Sequence, residues 1–93
     1  MLDLTVIILT KNEEQNIAKC IGSFGNLVKR FVIVDSHSTD RTEAVCSELG
    51  KKIISGYGGS LSFYEHDFQN QAQQFDWAVE NTEINTMWVM RMH

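Results

Sequence analysis

The 93 residues contain no proline, no CxxC pair and no long apolar stretch. The longest apolar run, Val6-Ile7-Ile8-Leu9, falls far short of the roughly 20 residues a bilayer span needs, so no transmembrane segment is expected. Asp3 and the lack of a basic opening segment do not read as a signal peptide. With only Cys20 and Cys46, far apart in sequence, the reading is a reduced, cytoplasmic protein whose thiols fill helix cores. Positive charge is also short. Eight Lys and Arg against 12 Asp and Glu leave a net −4, with no basic run beyond Lys29-Arg30 and Lys51-Lys52. That is too little to displace phosphate counterions, so no nucleic-acid partner is expected. The absence of proline decides nothing.

What is present suffices for one domain over residues 1–93, at 43% hydrophobic content. A chain of this size buries roughly 60–65% of its unfolded surface. Leu4 to Leu9 is an apolar, β-branched run suited to a strand covered on both faces. Asn12 and Gln15 then have capping-box spacing, and Ile17, Cys20, Ile21 and Phe24 form a helical stripe ending near Gly25. Phe31 to Val34 reads as a second buried strand. Asp40 and Glu43 offer another capping box, with a helix through Ala44, Val45 and Leu49 to a stop at Gly50. Lys52 to Ser55 and Leu61 to Glu65 are both strand-like around the turn signal Gly56 to Ser60. They form a hairpin, or one is strand and the other loop. Asn70 to Asn81 reads as a helix burying Ala72, Phe75 and Val79, and Thr86 to Met92 as a last strand. Trp77, Trp88, Met87, Met90 and Met92 read as core. The alternation predicts an α/β fold, a mainly parallel sheet with helical crossovers.

Ligands of open α/β sheets bind beyond the carboxyl ends of the strands. Two polar clusters fall there: Thr10-Lys11-Asn12-Glu13-Glu14, and Asp35-Ser36-His37-Ser38-Thr39-Asp40. Both carry carboxylates and hydroxyls at predicted helix N-termini, where free N–H groups can donate. Asp35 closes an apolar strand, so its carboxylate needs a partner. Asn12 and Asp40 also read as helix caps, and His37 as a solvent-facing loop residue. The first loop lacks glycine, which removes the dinucleotide fingerprint and argues against a NAD enzyme.

Val6-Ile7-Ile8-Leu9-Thr10-Lys11-Asn12-Glu13-Glu14, followed by Val32-Ile33-Val34-Asp35-Ser36-His37-Ser38-Thr39-Asp40-Arg41-Thr42, resembles the start of family 2 glycosyltransferases. The similarity points to bacterial members that build lipopolysaccharide and other surface polysaccharides. Gln74-Phe75-Asp76-Trp77-Ala78 is similar to the family's helix before the metal-binding strand, and Met87-Trp88-Val89-Met90-Arg91-Met92 to that strand. The resemblance implies part of the nucleotide-diphospho-sugar transferase fold, a Rossmann-like three-layer arrangement. It implies a nucleotide-diphosphate sugar as donor, a uridine diphosphate sugar first, and a glycan or lipid-linked acceptor. Thr10 and Glu13, with Asn12 beside them, would line the nucleotide pocket, Glu13 near the ribose. Asp35 would bond the base edge, Ser36 and Ser38 would shape the loop, and Gln74 and Asp76 would approach from the third helix.

The resemblance has three departures. The family's Asp-x-Asp, which holds Mg²⁺ or Mn²⁺ against the diphosphate, would begin where His93 stands. The acceptor half and its general base would lie further on. About ten extra residues around Gly56 to Ser60 separate the second helix from the Phe63-Tyr64-Glu65-His66 strand. The expectation is therefore an inverting transferase's nucleotide-binding portion with no catalytic or metal-binding residue of its own, inactive alone. A divalent metal belongs to the longer family member, for which peripheral membrane association is compatible. The alternative is a non-catalytic nucleotide-binding or interaction module. An apolar last strand at an open edge predicts a homo-oligomer.

Overall fold

A computed structural model describes residues 1–92. The order is β1 (Leu2–Thr10), α1 (Ile17–Gly22), β2 (Val28–Asp35), α2 (Thr42–Tyr57), β3 (Ser60–Glu65), α3 (Gln71–Asn81) and β4 (Trp88–Met92). The strands form one parallel sheet in the order β3-β2-β1-β4. The predicted α/β fold with helical crossovers is the observed one.

Topology follows from strand chemistry. β1 and β2 are the most continuously apolar runs, and they take the two central places. Alternate residues feed opposite faces: Val6, Ile8, Phe31 and Ile33 pack with Ile17 and Ile21 of α1 and Cys46 and Ile53 of α2. Ile7, Val32 and Val34 pack on the other face with Ala78 of α3, flanked by Phe75 and Trp77. Right-handed crossovers require this split. The chain steps outward from β1 to β3 with helices on one face, then returns past β1 with α3 on the other. Full burial of a side chain such as Phe31 is worth about 1.5–3 kcal/mol.

Five local expectations are corrected. The first helix begins only after Asn16, so Asn12 caps nothing; it has φ +52° and bonds across to the second loop. Gly50 does not stop the second helix. It is buried, with the place of its missing side chain 3.6 Å from Leu61 Cβ, which lets α2 lie close over β3. Residues Lys52 to Ser55 are therefore helical, no hairpin forms, and the ten extra residues lengthen α2 until Gly58 ends it at φ +78°. In α3 the buried face carries Gln74 and Ala78; Ala72 and Val79 are exposed. The apolar stripe loses to a polar anchor, because the Gln74 amide is taken up by the strand-end loops. Finally, Met87, Trp88 and Met90 are not core but exposed on the β4 side, while Trp77 and Met92 are partly buried.

Among the described residues no helix is long and apolar enough to cross a membrane.

Candidate functional site

The loops after β1 and β2 turn toward α1 and α2, while the loop after β3 turns toward α3. Their divergence opens a cleft at the carboxyl ends of the strands, where open α/β sheets bind ligands. Its volume is about 660 Å³, within the range of small-molecule sites. Leu9 and Thr10 come from the end of β1, Lys11 and Glu13 from the first loop, Ser36 and His37 from the second, Asp67 and Phe68 from the third, and Gln71 from the start of α3.

Beneath the cleft lies a buried carboxylate. Asp35 is 1% exposed, and its Oδ1 accepts hydrogen bonds from Thr10 Oγ1 and Ser38 Oγ, both at 2.6 Å. Oδ2 accepts the Ser38 N–H at 2.7 Å. Asp35 thus has the partners its position demanded, and they tie the ends of β1 and β2 together.

The first two loops are cross-bonded residue by residue. The N–H groups of Asn12, Glu13 and Glu14 donate in turn to Ser38 Oγ (2.7 Å), Thr42 Oγ1 (2.9 Å) and Asp40 Oδ2 (3.2 Å). Asn12 Oδ1 returns the link by accepting the Thr39 N–H at 2.9 Å. These three amides, read from sequence as free donors, are therefore committed to the second loop. Arg41, not Asp40, stands at the cap position of α2 and makes no side-chain cap hydrogen bond, so the expected Asp40–Glu43 capping box does not form; Asp40 instead accepts the Thr42 N–H at 2.9 Å. Burial alone would raise its pKa, but these hydrogen bonds hold it below the ordinary carboxylate range. Lys11 Nζ donates to the carbonyls of Ser36 and His37, both at 2.9 Å. An ammonium has three donors, so one is left over, and Lys11 lines the cleft.

His37 is exposed as expected, yet it is not free. Its Nδ1 lies 3.2 Å from Glu65 Oε2 and its Nε2 lies 2.6 Å from Asp67 Oδ1. The hydrogen bond to Asp67, with the two negative charges, raises its pKa above the usual value despite some loss of solvent. His37 sits at φ +56°. Two non-glycine residues in the left-handed region, Asn12 and His37, thus fall in facing loops at one site, where such strain tends to gather.

Gln74 joins the third element. Its Oε1 lies 2.8 Å from His66 Nδ1, and its Nε2 donates to the His66 carbonyl at 3.1 Å and to Ser36 Oγ at 3.3 Å. The His66 ring stacks on Trp77 with centroids 4.3 Å apart.

Of the sequence-derived residues, Thr10, Glu13 and Ser36 line the cleft; Asp35 and Ser38 lie behind it, and Asn12 ties its rim. Gln74 and Asp76 line a separate hollow of about 260 Å³ beside α3, from which only Gln74 reaches the first site. Lys11, Asp67, Phe68 and Gln71 were not singled out. Lys11 stood within a flagged cluster, but the others required knowing that the loop after β3 folds back over the first two. Among the described residues no three of His, Cys, Asp and Glu gather to hold a metal ion. The metal-binding Asp-x-Asp that the resemblance implies is expected from position 93 onward, which lies outside the described residues.

The family model for glycosyl transferase family 2 matches residues 5–91. The chain belongs to that family. It is 44% identical over 69 residues to an uncharacterized glycosyltransferase of Rickettsia felis, covering 70% of this chain and 24% of the relative. A second, from Rickettsia conorii, is 39% identical over 66 residues, covering 67% and 23%. A third, from Rickettsia bellii, is 36% identical over 80 residues, covering 82% and 26%. The chain thus spans about a quarter of the length of the curated relatives it matches. No solved structure matches it.

Proposed function

We propose that this chain is the donor-binding portion of an enzyme that moves a sugar from a nucleotide diphosphate to a glycan or lipid-linked hydroxyl, with inversion at the anomeric carbon. Family membership supports the reaction class. The observation that carries the donor reading is the joining of Thr10, Glu13 and Ser36 in one cleft at the carboxyl ends of β1 and β2.

In this reading Glu13 accepts a ribose hydroxyl and Thr10 and Ser36 set the floor. Asp35, 1% exposed and outside the cleft lining, holds Thr10 and Ser38 in place rather than bonding the base edge itself as the sequence suggested. Lys11 offers its remaining donor to the diphosphate. Gln74 works through Ser36. The divalent cation and the acceptor's general base belong to the longer protein, so no chemical step is assigned to these residues.

Calorimetric titration of uridine diphosphate tests this. The expected affinity is millimolar, about −4 kcal/mol, with Glu13→Gln weakening it and Mn²⁺ leaving it unchanged. A chain that binds no nucleotide contradicts the donor reading. Metal-dependent sugar transfer by the 93 residues contradicts the division of labour.

A further inference from the structure

Phe68 is a large apolar side chain left 52% exposed, and it joins neither packed core. Its exposure is held in place by the framework on both sides. Before it, the His66 N–H donates to the Asp35 carbonyl at 2.9 Å, and Asp67 meets His37 Nε2 at 2.6 Å. After it, Asn70 Oδ1 caps α3 by accepting the Gln73 N–H at 2.8 Å. Within this polar stretch, His66-Asp67-Phe68-Gln69-Asn70, Phe68 is the one apolar residue. The loop is anchored, and the ring is kept out of the core.

Among the described residues that ring is the only Phe, Tyr or Trp side chain lining the 660 Å³ cleft, with Leu9 as its apolar neighbour. The His37 imidazole, the other ring there, is held by Glu65 and Asp67. The rest of the lining is polar or charged. A matching ligand therefore has one flat apolar part and one part rich in hydroxyls and negative charge. We propose that Phe68 is the platform on which the nucleobase of the donor stacks, with ribose and phosphates directed toward Glu13 and Lys11. This assignment rests on the donor-binding reading and adds to it the residue that orients the base. Stacking on an aromatic face tolerates any base, so Phe68 supplies affinity and orientation rather than base choice.

NMR titration tests it with three ligands: uridine diphosphate, ribose 5-phosphate and inorganic pyrophosphate. Stacking predicts upfield shifts of the base ring protons and magnetisation transfer from the Phe68 ring to the base more than to the ribose. Phe68→Ala should weaken uridine diphosphate on the order of tenfold, from the usual worth of a base–aromatic stack. It should leave ribose 5-phosphate and pyrophosphate unchanged, and Phe68→Tyr should retain wild-type affinity. Phe68→Leu, which keeps apolar area without a π-face, should fall between. If the wild-type chain binds uridine diphosphate and Phe68→Ala binds it equally well, the stacking assignment is wrong and the donor reading stands. Equal losses for all three ligands also overturn it, as a disturbed loop would produce them. No binding of any ligand to the wild type overturns both.

Discussion

β2 and β4 both run parallel to β1, one on each side, but their surroundings differ. Phe31, Val32, Ile33 and Val34 of β2 are 0% exposed, whereas Trp88, Val89 and Met90 of β4 are 65%, 41% and 44% exposed. β2 has a strand on either side and helices over both faces. β4 has only β1 beside it, tied at its start by the Met87 N–H to Asp3 and the Thr5–Thr86 hydroxyl pair. The cleft is built wholly on the well-covered side, from loops that follow β1, β2 and β3. Binding geometry and sheet stability therefore share one half of the molecule, and β4 presents an exposed apolar surface at the edge of the sheet.

Substitutions on the two strands sharpen that contrast. Phe31→Ala should cost about 3–5 kcal/mol in denaturant unfolding, enough to threaten a domain of this size. Trp88→Ala, already exposed, should cost under about 1 kcal/mol in the same assay. Similar losses at the two positions would mean that β4 is covered in solution. At the loop end of β2, Asp35→Ala strands the Thr10 and Ser38 donors, and about 1–3 kcal/mol should be lost. Asp35→Asn should recover part of it, since the amide oxygen still accepts.

The edge of β4 makes self-association the next expectation. Unpaired strand N–H and C=O groups beside apolar side chains favour pairing with a second copy. Light scattering at hundreds of micromolar should show a dimer or larger species, and Val89→Lys should return it to a monomer. A wild-type monomer at that concentration would remove the proposal.

Smaller effects belong to single titrating groups. His37 has a raised pKa in the folded state, so its contribution is fully present below the unfolded value of about 6.5 and is lost as pH rises through the folded one. Its NMR titration midpoint should lie above that of a free imidazole, and Asp67→Asn should bring it down. On the core side, burial, aided by the charges of Asp35 and Glu43, pushes the Cys46 thiol up to about 12. Iodoacetamide at mild alkaline pH should modify the half-buried Cys20 and spare Cys46, with a core opened by Phe31→Ala exposing both.

Much of this arrangement could be read from the chain because its strongest signals are local. The β1 and β2 runs are apolar without interruption, and the polar clusters follow them directly, so Thr10, Glu13, Asp35 and Ser36 were legible as strand-end residues. Errors arose where a distant contact outweighed a local preference. Gly50 resembles a helix stop until Leu61 packs against it, and Ala72 and Val79 resemble a buried stripe until the Gln74 amide fixes the rotation of α3. The free amides of Asn12, Glu13 and Glu14 disappeared for the same reason, their acceptors lying more than two dozen residues away. Phe68 carried only a weak local signal, as the one apolar residue in a polar stretch. Its meaning depends on three loops meeting.

The central claim is that a nucleotide binds on the well-covered side, at the ends of β1 and β2. Mapping the amide NMR shifts caused by uridine diphosphate tests it most directly. The account predicts saturable shifts at Thr10, Lys11, Glu13, Ser36 and Phe68, with Trp88 to Arg91 unmoved. Shifts confined to β4, or spread evenly over the surface without saturation, would contradict it.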